Sequence, residues 1–345
     1  MGNQQHIAII GGGIAGMETA STLAAQHYKV TIIEKEDTTG GKLNNWHHLF
    51  PDFSDPAEII AESKAKSTEN HVDIIYNTEI THIEKKDNRF VLSDNKNITI
   101  YSDAVVLAGG FSLFDATLKE EYGYGLFDNV ITSADFEKQL KTKKKFTTAQ
   151  GLPPKRVGII HCVGSRDAKT GNTYCSKVCC ITGIKQAIEI NEMIPDCEIY
   201  CFYMDLRLYG STFDSLYLRA QQEHKIQFVR GRLSEVSEKQ DKHLQIKAED
   251  TLSGKPLRMN VDMIILLIGM EPTAIKEQLV EHNTIQLDDN GFFKSANIHN
   301  QRNSTIQEGV FMAGTCICPM SINEVIENAR SCALSVINYL RNNAL

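Results

Sequence analysis

Apolar residues come in short bursts separated by turn-forming residues, and the spacing of the bursts predicts alternating strands and helices. Residues 6–34 read as strand (His6–Ile10), glycine turn, amphipathic helix (about Ala15 to His27) and a second Ile/Val strand. Short β-type runs follow at Ile74-Ile75-Tyr76, Arg89-Phe90-Val91-Leu92 and Ile98-Thr99-Ile100, divided by Asn/Asp turns, and end in the strand Ala104–Leu107 and the pair Gly109-Gly110. A polar connector with Lys143-Lys144-Lys145 and Pro153-Pro154 comes next, its lysines reading as a solvated face. A second βαβ pattern opens at Arg156: strand Val157–His161, helix near Lys177–Met193, strand Glu198–Tyr203, helix around Asp214–Glu223, strand Ile226–Val229. A meander over about 232–260 precedes the fully apolar strand Met263–Ile268. From about 285 the chain returns to a strand at Val310–Met312, then Gly314 and a last helix from about Ser321 to Leu340. The pattern predicts an α/β protein with two dinucleotide-type domains, the second inserted in the first. The expected boundaries are 1–112 for the first part, 113–154 for the connector, 155–284 for the inserted domain and 285–345 for the return segment. No short-period repeat stands out.

Composition narrows the function classes. The 345 residues are 42% hydrophobic and 23% charged, enough for two folded domains. A formal charge of −7 argues against non-specific nucleic-acid binding, which needs a basic footprint. The longest apolar run, Met263–Ile268, is too short to span a bilayer, so no membrane insertion is expected. No signal peptide is visible, and Met1-Gly2 opens like an acylation signal but has His6 where Ser or Thr is wanted. Nine cysteines in such a chain suggest a reducing cytoplasm, with thiolates serving metal or redox chemistry.

The first chemistry-bearing motif is Gly11-Gly12-Gly13-Ile14-Ala15-Gly16, a G-x-G-x-x-G that follows a strand and opens a helix. Gly11 allows the tight turn, Gly13 the close approach of a pyrophosphate, and Gly16 the packing of helix on strand. Phosphates then meet free N–H groups at a helix N-terminus. Glu34, about twenty residues on, is placed to accept from a ribose hydroxyl and to repel a 2′-phosphate. Gly40-Gly41 and the late Gly314 support the same site. The interrupted first domain, completed by a C-terminal segment whose helix follows Gly314, favours FAD over NAD by analogy with two-domain flavoprotein reductases. By that analogy Met320 and Ser321 supply backbone donors to the flavin ring, and Lys42 is either a charge near the ring or a surface lysine. The complete candidate set is Gly11, Gly13, Ile14, Ala15, Gly16, Glu34, Lys35, Gly41, Lys42, Ile80, Gly109, Gly314, Thr315, Met320 and Ser321.

The second motif is Cys162, Cys175, Cys179 and Cys180, spaced C-x12-C-x3-C-C. Cys162 closes a strand and Cys179-Cys180 open a helix, a setting in which backbone N–H groups and the helix dipole are expected to lower thiolate pKa values. On spacing alone, an iron–sulfur cluster, a zinc ion, a vicinal disulfide and plain buried thiols all stay open, although structural zinc favours two separated C-x2-4-C knuckles. Cys197, Cys201 and Cys332 read as core, and Cys316 and Cys318 as either packing or redox-active thiols at the flavin edge. After strand Val157–His161 comes Cys162-Val163-Gly164-Ser165-Arg166-Asp167 in place of a full glycine motif, which disfavours NAD(P)H in the usual mode. A thioredoxin-reductase C-x-x-C dithiol is absent from the sequence.

The runs His161-Cys162-Val163-Gly164-Ser165-Arg166-Asp167, Tyr174-Cys175-Ser176-Lys177-Val178-Cys179-Cys180 and Phe202-Tyr203-Met204-Asp205-Leu206-Arg207 resemble the signature of the flavoprotein A subunit of heterodisulfide reductase. Val310-Phe311-Met312-Ala313-Gly314-Thr315 is similar to that family's C-terminal flavin segment, with Thr where many reductases carry Asp. The resemblance covers nearly the whole chain. It implies a thioredoxin-reductase-like fold, bound FAD, one [4Fe–4S] cluster on Cys162, Cys175, Cys179 and Cys180, and electron transfer with B- and C-type partner subunits, in a homodimer. The ferredoxin modules of the larger methanogen A subunits are missing, and Phe50-Pro51-Asp52-Phe53-Ser54 lacks the cysteines their first domain carries there. The compact length is similar to the shortened A subunits of heterodisulfide-reductase-like complexes. Two rival expectations stand beside this one: a stand-alone NAD(P)H-dependent disulfide or sulfide oxidoreductase using Cys316 and Cys318, and an assembly subunit whose flavin is structural.

Overall fold

Two parallel sheets organise the chain in the computed structural model, which describes residues 4–94, 98–273 and 285–343. Met1-Gly2 and the expected end of the inserted domain, 274–284, lie outside the described residues. In chain order the first elements are β1 (His6–Ile10), α1 (Ile14–Ala24), β2 (Lys29–Ile33), α2 (Pro56–Glu69), β3 (Asp73–Ile75), β4 (Ile80–Lys86), β5 (Arg89–Asp94), β6 (Thr99–Ser102), β7 (Ala104–Leu107) and β8 (Phe111–Leu113). Next come β9 (Val130–Thr132), α3 (Ser133–Lys143), β10 (Arg156–Val163), α4 (Cys179–Met193), β11 (Glu198–Tyr203), α5 (Phe213–Gln222) and β12 (Gln227–Arg230). The remainder is β13 (Leu233–Glu238), β14 (Leu244–Asp250), β15 (Lys255–Val261), β16 (Met263–Ile268), β17 (Met270–Pro272), β18 (Val310–Met312) and α6 (Ile322–Asn342). Among the described residues no helix is long and apolar enough to cross a membrane.

The chain divides into two compact units, one made of Met1–Asn44, Ala57–Ser112 and Glu271–Leu345, the other of Asn45–Pro56 and Leu113–Met270. In the first unit five parallel strands run in the order β18-β7-β1-β2-β3. Ile7–Ile10 of β1 are buried, as expected of a central parallel strand covered on both faces. Helices α1 and α6 pack together; Thr19 Oγ1 donates to the carbonyls of Ala15 (2.8 Å) and Ala329 (3.3 Å), and Arg330 pairs with Glu18 at 2.6 Å. Because β2 lies on one side of β1 and β7 on the other, the strand order reverses at the C-terminal end of β1. That crevice is where open α/β sheets bind ligands.

The second unit repeats the plan, with parallel order β12-β11-β10-β16-β9 and an antiparallel meander β13-β14-β15. Successive β16 residues face opposite ways: Ile265 packs with Phe136, Ile159 and Ile184, whereas Ile264 packs with Ile160 and Phe202. The order reverses here at the C-terminal end of β10. The stretch expected as a connector is folded into this unit. It supplies edge strand β9 and helix α3, whose Thr132 hydroxyl accepts from the Asp135 N–H (3.1 Å) while the Asp135 carboxylate accepts from the Thr132 N–H (3.0 Å). Thr132→Ala is expected to cost about 1 kcal/mol, seen as a lower denaturant midpoint at unchanged slope. No shift in midpoint would mean the cap is idle.

Candidate functional site

The glycine turn is built as its sequence predicts. Gly11 has φ +110° and no room for a Cβ, which would strike the carbonyl of Ala108. A Cβ at Gly16 would strike the carbonyl of Gly11, so that glycine is required for helix to meet strand. Gly13 differs from both. It caps α1 at an ordinary φ of −71°, and no atom lies within 4 Å of where its Cβ would stand. This open cradle sits at the N-terminus of α1, where orphan N–H groups and the dipole favour anions. Gly40 N–H donates to Gly12 O (2.8 Å), bringing Gly41 against Gly13. Beside them the Thr39 hydroxyl is buried with no hydrogen-bond partner, a group left for something the chain does not itself provide. Glu34 is buried, and its carboxylate accepts from the N–H of Gly12 (2.6 Å) and of Glu36 (2.9 Å). It therefore holds the turn as well as facing it.

The return segment closes on the same turn. Gly314 has φ +78° and stands so near α1 that a Cβ would meet Ala15 Cβ at 2.7 Å; its N–H donates to Asn328 Oδ1 (2.8 Å). Gly109 lies beside Gly11, and Thr315 Oγ1 lies 3.9 Å from the Cβ position of Gly110. Met320 is buried, and Ser321 caps α6, but the Ser321 N–H already donates to Glu324 (2.9 Å). That contact belongs to the capping box of α6. Lys42 sits 5.0 Å over the Phe111 ring, and burial, then Lys35, lowers its pKa, so it is not a plain surface lysine. Lys35 itself is exposed beside Glu36 at 4.0 Å, and Ile80 is a fully buried core residue at the start of β4.

Cys316 is enclosed, donates to the carbonyls of Leu107 and Ala313 (3.3 Å each), and has its thiol pushed up to about 12, mainly by burial. Cys318 is half-buried and accepts from Arg302 Nη2 at 2.9 Å. Cys201 and Cys332 are fully buried, as is nearly all of Cys197. Because Cys316 and Cys332 are enclosed and burial holds both thiols protonated, iodoacetamide is expected to modify Cys318 and spare Cys316 and Cys332 in the native protein. Mass mapping that found Cys316 modified within tenfold of the Cys318 rate would contradict this.

In the second unit the four signature thiols lie near the reversal point of the sheet, close enough to influence one another electrostatically. Cys162 lies within β10 at an irregularity between Ile160 and Val163, with φ +61°, and Cys179 and Cys180 form the first turn of α4. The loop between is pinned: Ser176 N–H and Ser165 Oγ are 3.0 Å apart, Ser176 Oγ accepts from Met270 N–H (2.9 Å), and Tyr174 Oη donates to Met270 O (2.9 Å). Cys162, Cys179 and Cys180 each feel Cys175 and one another electrostatically. Cys175 Sγ accepts from Lys177 N–H (3.3 Å) and Cys180 Sγ from Arg207 N–H (3.4 Å). The expected lowering of the thiol pKa values is not found. Burial pushes Cys162 up to about 12, Cys179 well above its ordinary value and Cys180 upward, outweighing the favourable Arg166 charge near Cys162 and Cys180. Arg166 and Arg207 both pair with Asp205.

A pocket at the ends of β10 and β11 is lined by His161, Cys162, Lys119, Asp167, Met204 and Arg232, among others. Its buried cation, Lys119, is held 2.7 Å from both Asp167 and Glu121. His161 is buried, neither ring nitrogen has a partner, and burial holds its pKa down to about 3, so it stays neutral. Sequence reasoning missed His161 as a site residue, along with Thr39. It also missed the pair His47 and His48, whose side chains lie with Glu189 so that their ligand atoms are all within 4.8 Å of one another. Among the described residues no such tight group is formed by the four thiols.

Comparison with known proteins agrees with this architecture. The model of the family described as pyridine nucleotide-disulphide oxidoreductase matches residues 5–333. The A-type iron-sulfur subunit of CoB–CoM heterodisulfide reductase from Methanocaldococcus jannaschii is 30% identical over 95% of this chain and 63% of its own. The A-type subunit of H2:CoB-CoM heterodisulfide,ferredoxin reductase from Methanothermobacter thermautotrophicus is 36% identical over 69% of this chain and 37% of its own. The chain thus spans less than two thirds of the length of these relatives. Thioredoxin reductase of Lactococcus lactis shares the fold at TM-score 0.68 and 17% identity, covering 98% of this chain and 100% of that one. Bacillithiol disulfide reductase of Staphylococcus aureus does so at TM-score 0.66 and 14% identity, covering 99% and 100%. The resemblance to heterodisulfide reductase A subunits and the thioredoxin-reductase-like two-domain fold both hold, and the chain belongs to the pyridine nucleotide-disulphide oxidoreductase family.

Proposed function

We propose that this chain is an electron-transfer subunit of a heterodisulfide-reductase-like complex, binding FAD in its first unit and a [4Fe–4S] cluster on Cys162, Cys175, Cys179 and Cys180. When bound, FAD supplies two-electron exchange and the cluster one-electron exchange. The observation that supports the reading is the placing of four mutually interacting thiols near the reversal point of the second sheet, where a glycine phosphate loop would otherwise stand.

The chain's own groups have definite parts in this reading. In this reading the unit of 1–44, 57–112 and 271–345 binds FAD, and the unit of 45–56 and 113–270 bears the cysteines. The free N–H groups of α1 and the space at Gly13 take the pyrophosphate. Glu34 fixes the turn and offers its remaining lone pairs to a ribose hydroxyl, and the unpartnered Thr39 hydroxyl gains a partner. In the second unit, Lys177 and Arg207 N–H groups steady the sulfurs of Cys175 and Cys180, and the Arg166 guanidinium offsets thiolate charge. Loading must strip protons from thiols whose burial holds them protonated, so metal retention weakens as pH falls. Partners of the B and C type, a homodimeric state and a cytoplasmic setting complete the proposal. Protein isolated without oxygen is expected to hold one FAD and about four irons, and to take up about three electrons in a reductive titration. Uptake of only two would remove the cluster from the account.

A further inference from the structure

We propose that His47, His48 and Glu189 form a binding site for a divalent transition cation of the zinc type, separate from the four thiols and independent of the function proposed above. Two imidazoles and one carboxylate suit such an ion and leave a fourth position for water. The side chains converge from two places in the second unit, the segment 45–56 and helix α4. Their ligand atoms lie within 4.8 Å of one another, the His47 and His48 rings are 3.8 Å apart centre to centre, and His48 Nδ1 is 2.8 Å from Glu189 Oε1. A proton shared along that last contact stands where a cation would stand.

The surroundings are short of positive charge at this one carboxylate. Lys185 is buried and spends itself elsewhere, donating to Glu137 (2.6 Å) and to the carbonyl of His48 (2.8 Å), with Glu189 Oε2 no nearer than 3.5 Å. Glu137 is amply served, since it also accepts from Gln186 Nε2 (2.7 Å) and His47 N–H (3.0 Å). Glu189, only 5% exposed, keeps its Oε2 without a hydrogen-bond partner. Burial, aided by Glu137, pushes its carboxyl up to about 6 against the opposing pull of Lys185 and His48. The same network fixes the main chain of both histidines, through the His47 N–H and the His48 carbonyl, which orients ligands before any ion arrives. A bound cation would satisfy Glu189 and staple residues 45–56 to α4.

Co2+ is the probe, with Zn2+ as competitor, added to the full chain isolated without oxygen and to its Cys175→Ser variant. The expected result is one Co2+ per chain, with ligand-field absorption but no thiolate charge-transfer band, displaced by Zn2+ and unaffected by Cys175→Ser. Glu189→Gln and His47→Ala are each expected to weaken retention at least about tenfold. His47 is half-buried and its side chain stands outside the Lys185 network, so His47→Ala keeps the test sound even where Glu189→Gln perturbs folding. No retained Co2+, retention indifferent to both substitutions, or a thiolate band lost in Cys175→Ser would each overturn the site.

Discussion

Gly13→Ala is expected to empty the flavin site while leaving the fold intact. The residue sits at φ −71°, which alanine adopts without strain, and its Cβ would meet no atom of the chain within 4 Å. At an N-cap the exchange of Gly for Ala costs about 0.5–1 kcal/mol, too little to unfold the domain. The same methyl group would occupy the space proposed for the pyrophosphate. Forfeiting two charge-assisted hydrogen bonds costs about 3–6 kcal/mol, or roughly a 10²- to 10⁴-fold loss of FAD affinity. Gly16→Ala loses the flavin for a different reason, because its Cβ strikes the carbonyl of Gly11 and the turn itself must move. Flavin per chain and the thermal midpoint, measured together, separate the two. A Gly13→Ala protein that kept stoichiometric FAD would show that the dinucleotide lies elsewhere.

Cys179→Ala should have the complementary effect, with iron falling from about four per chain to nearly none and FAD unchanged. Cys179 is wholly enclosed in the first turn of α4, and the other three thiols all act upon it. The substitution removes one buried sulfur, and the resulting void costs on the order of 1–2 kcal/mol, too little to unfold a domain. Because burial holds Cys162, Cys179 and Cys180 protonated, iron lost to a chelator in the wild type is expected to leave faster at pH 6 than at pH 8. Full iron in Cys179→Ala would exclude that residue as a ligand.

Much of the fold was legible because buried parallel strands write themselves as unbroken apolar runs. Met263–Ile268, Ala104–Leu107 and Val310–Met312 lie where their residues predict. Helix α2 was missed because its sequence is polar almost all round, with no apolar stripe to reveal the helical period. Helix α3 had a readable signal, the pair Thr132 and Asp135 ahead of Phe136 and Leu140, but the lysines at its end looked like linker. The glycine turn was legible because so tight a strand-to-helix turn admits no Cβ at Gly11 and Gly16, and the four cysteines because they lie close together in sequence. The thiol pKa direction was not, since burial is set by Leu267, Ile181 and other residues far apart in sequence. The same holds for His47 and His48, whose carboxylate partner is 141 residues away from His48.

The central claim is that the four thiols hold an inorganic cluster. Iron-edge X-ray absorption of the full chain, isolated and kept without oxygen, tests it most directly. An iron–sulfur shell together with an iron–iron shell is predicted, both lost in Cys179→Ala. An iron signal with sulfur neighbours but no iron–iron shell, or zinc in place of iron, would contradict it.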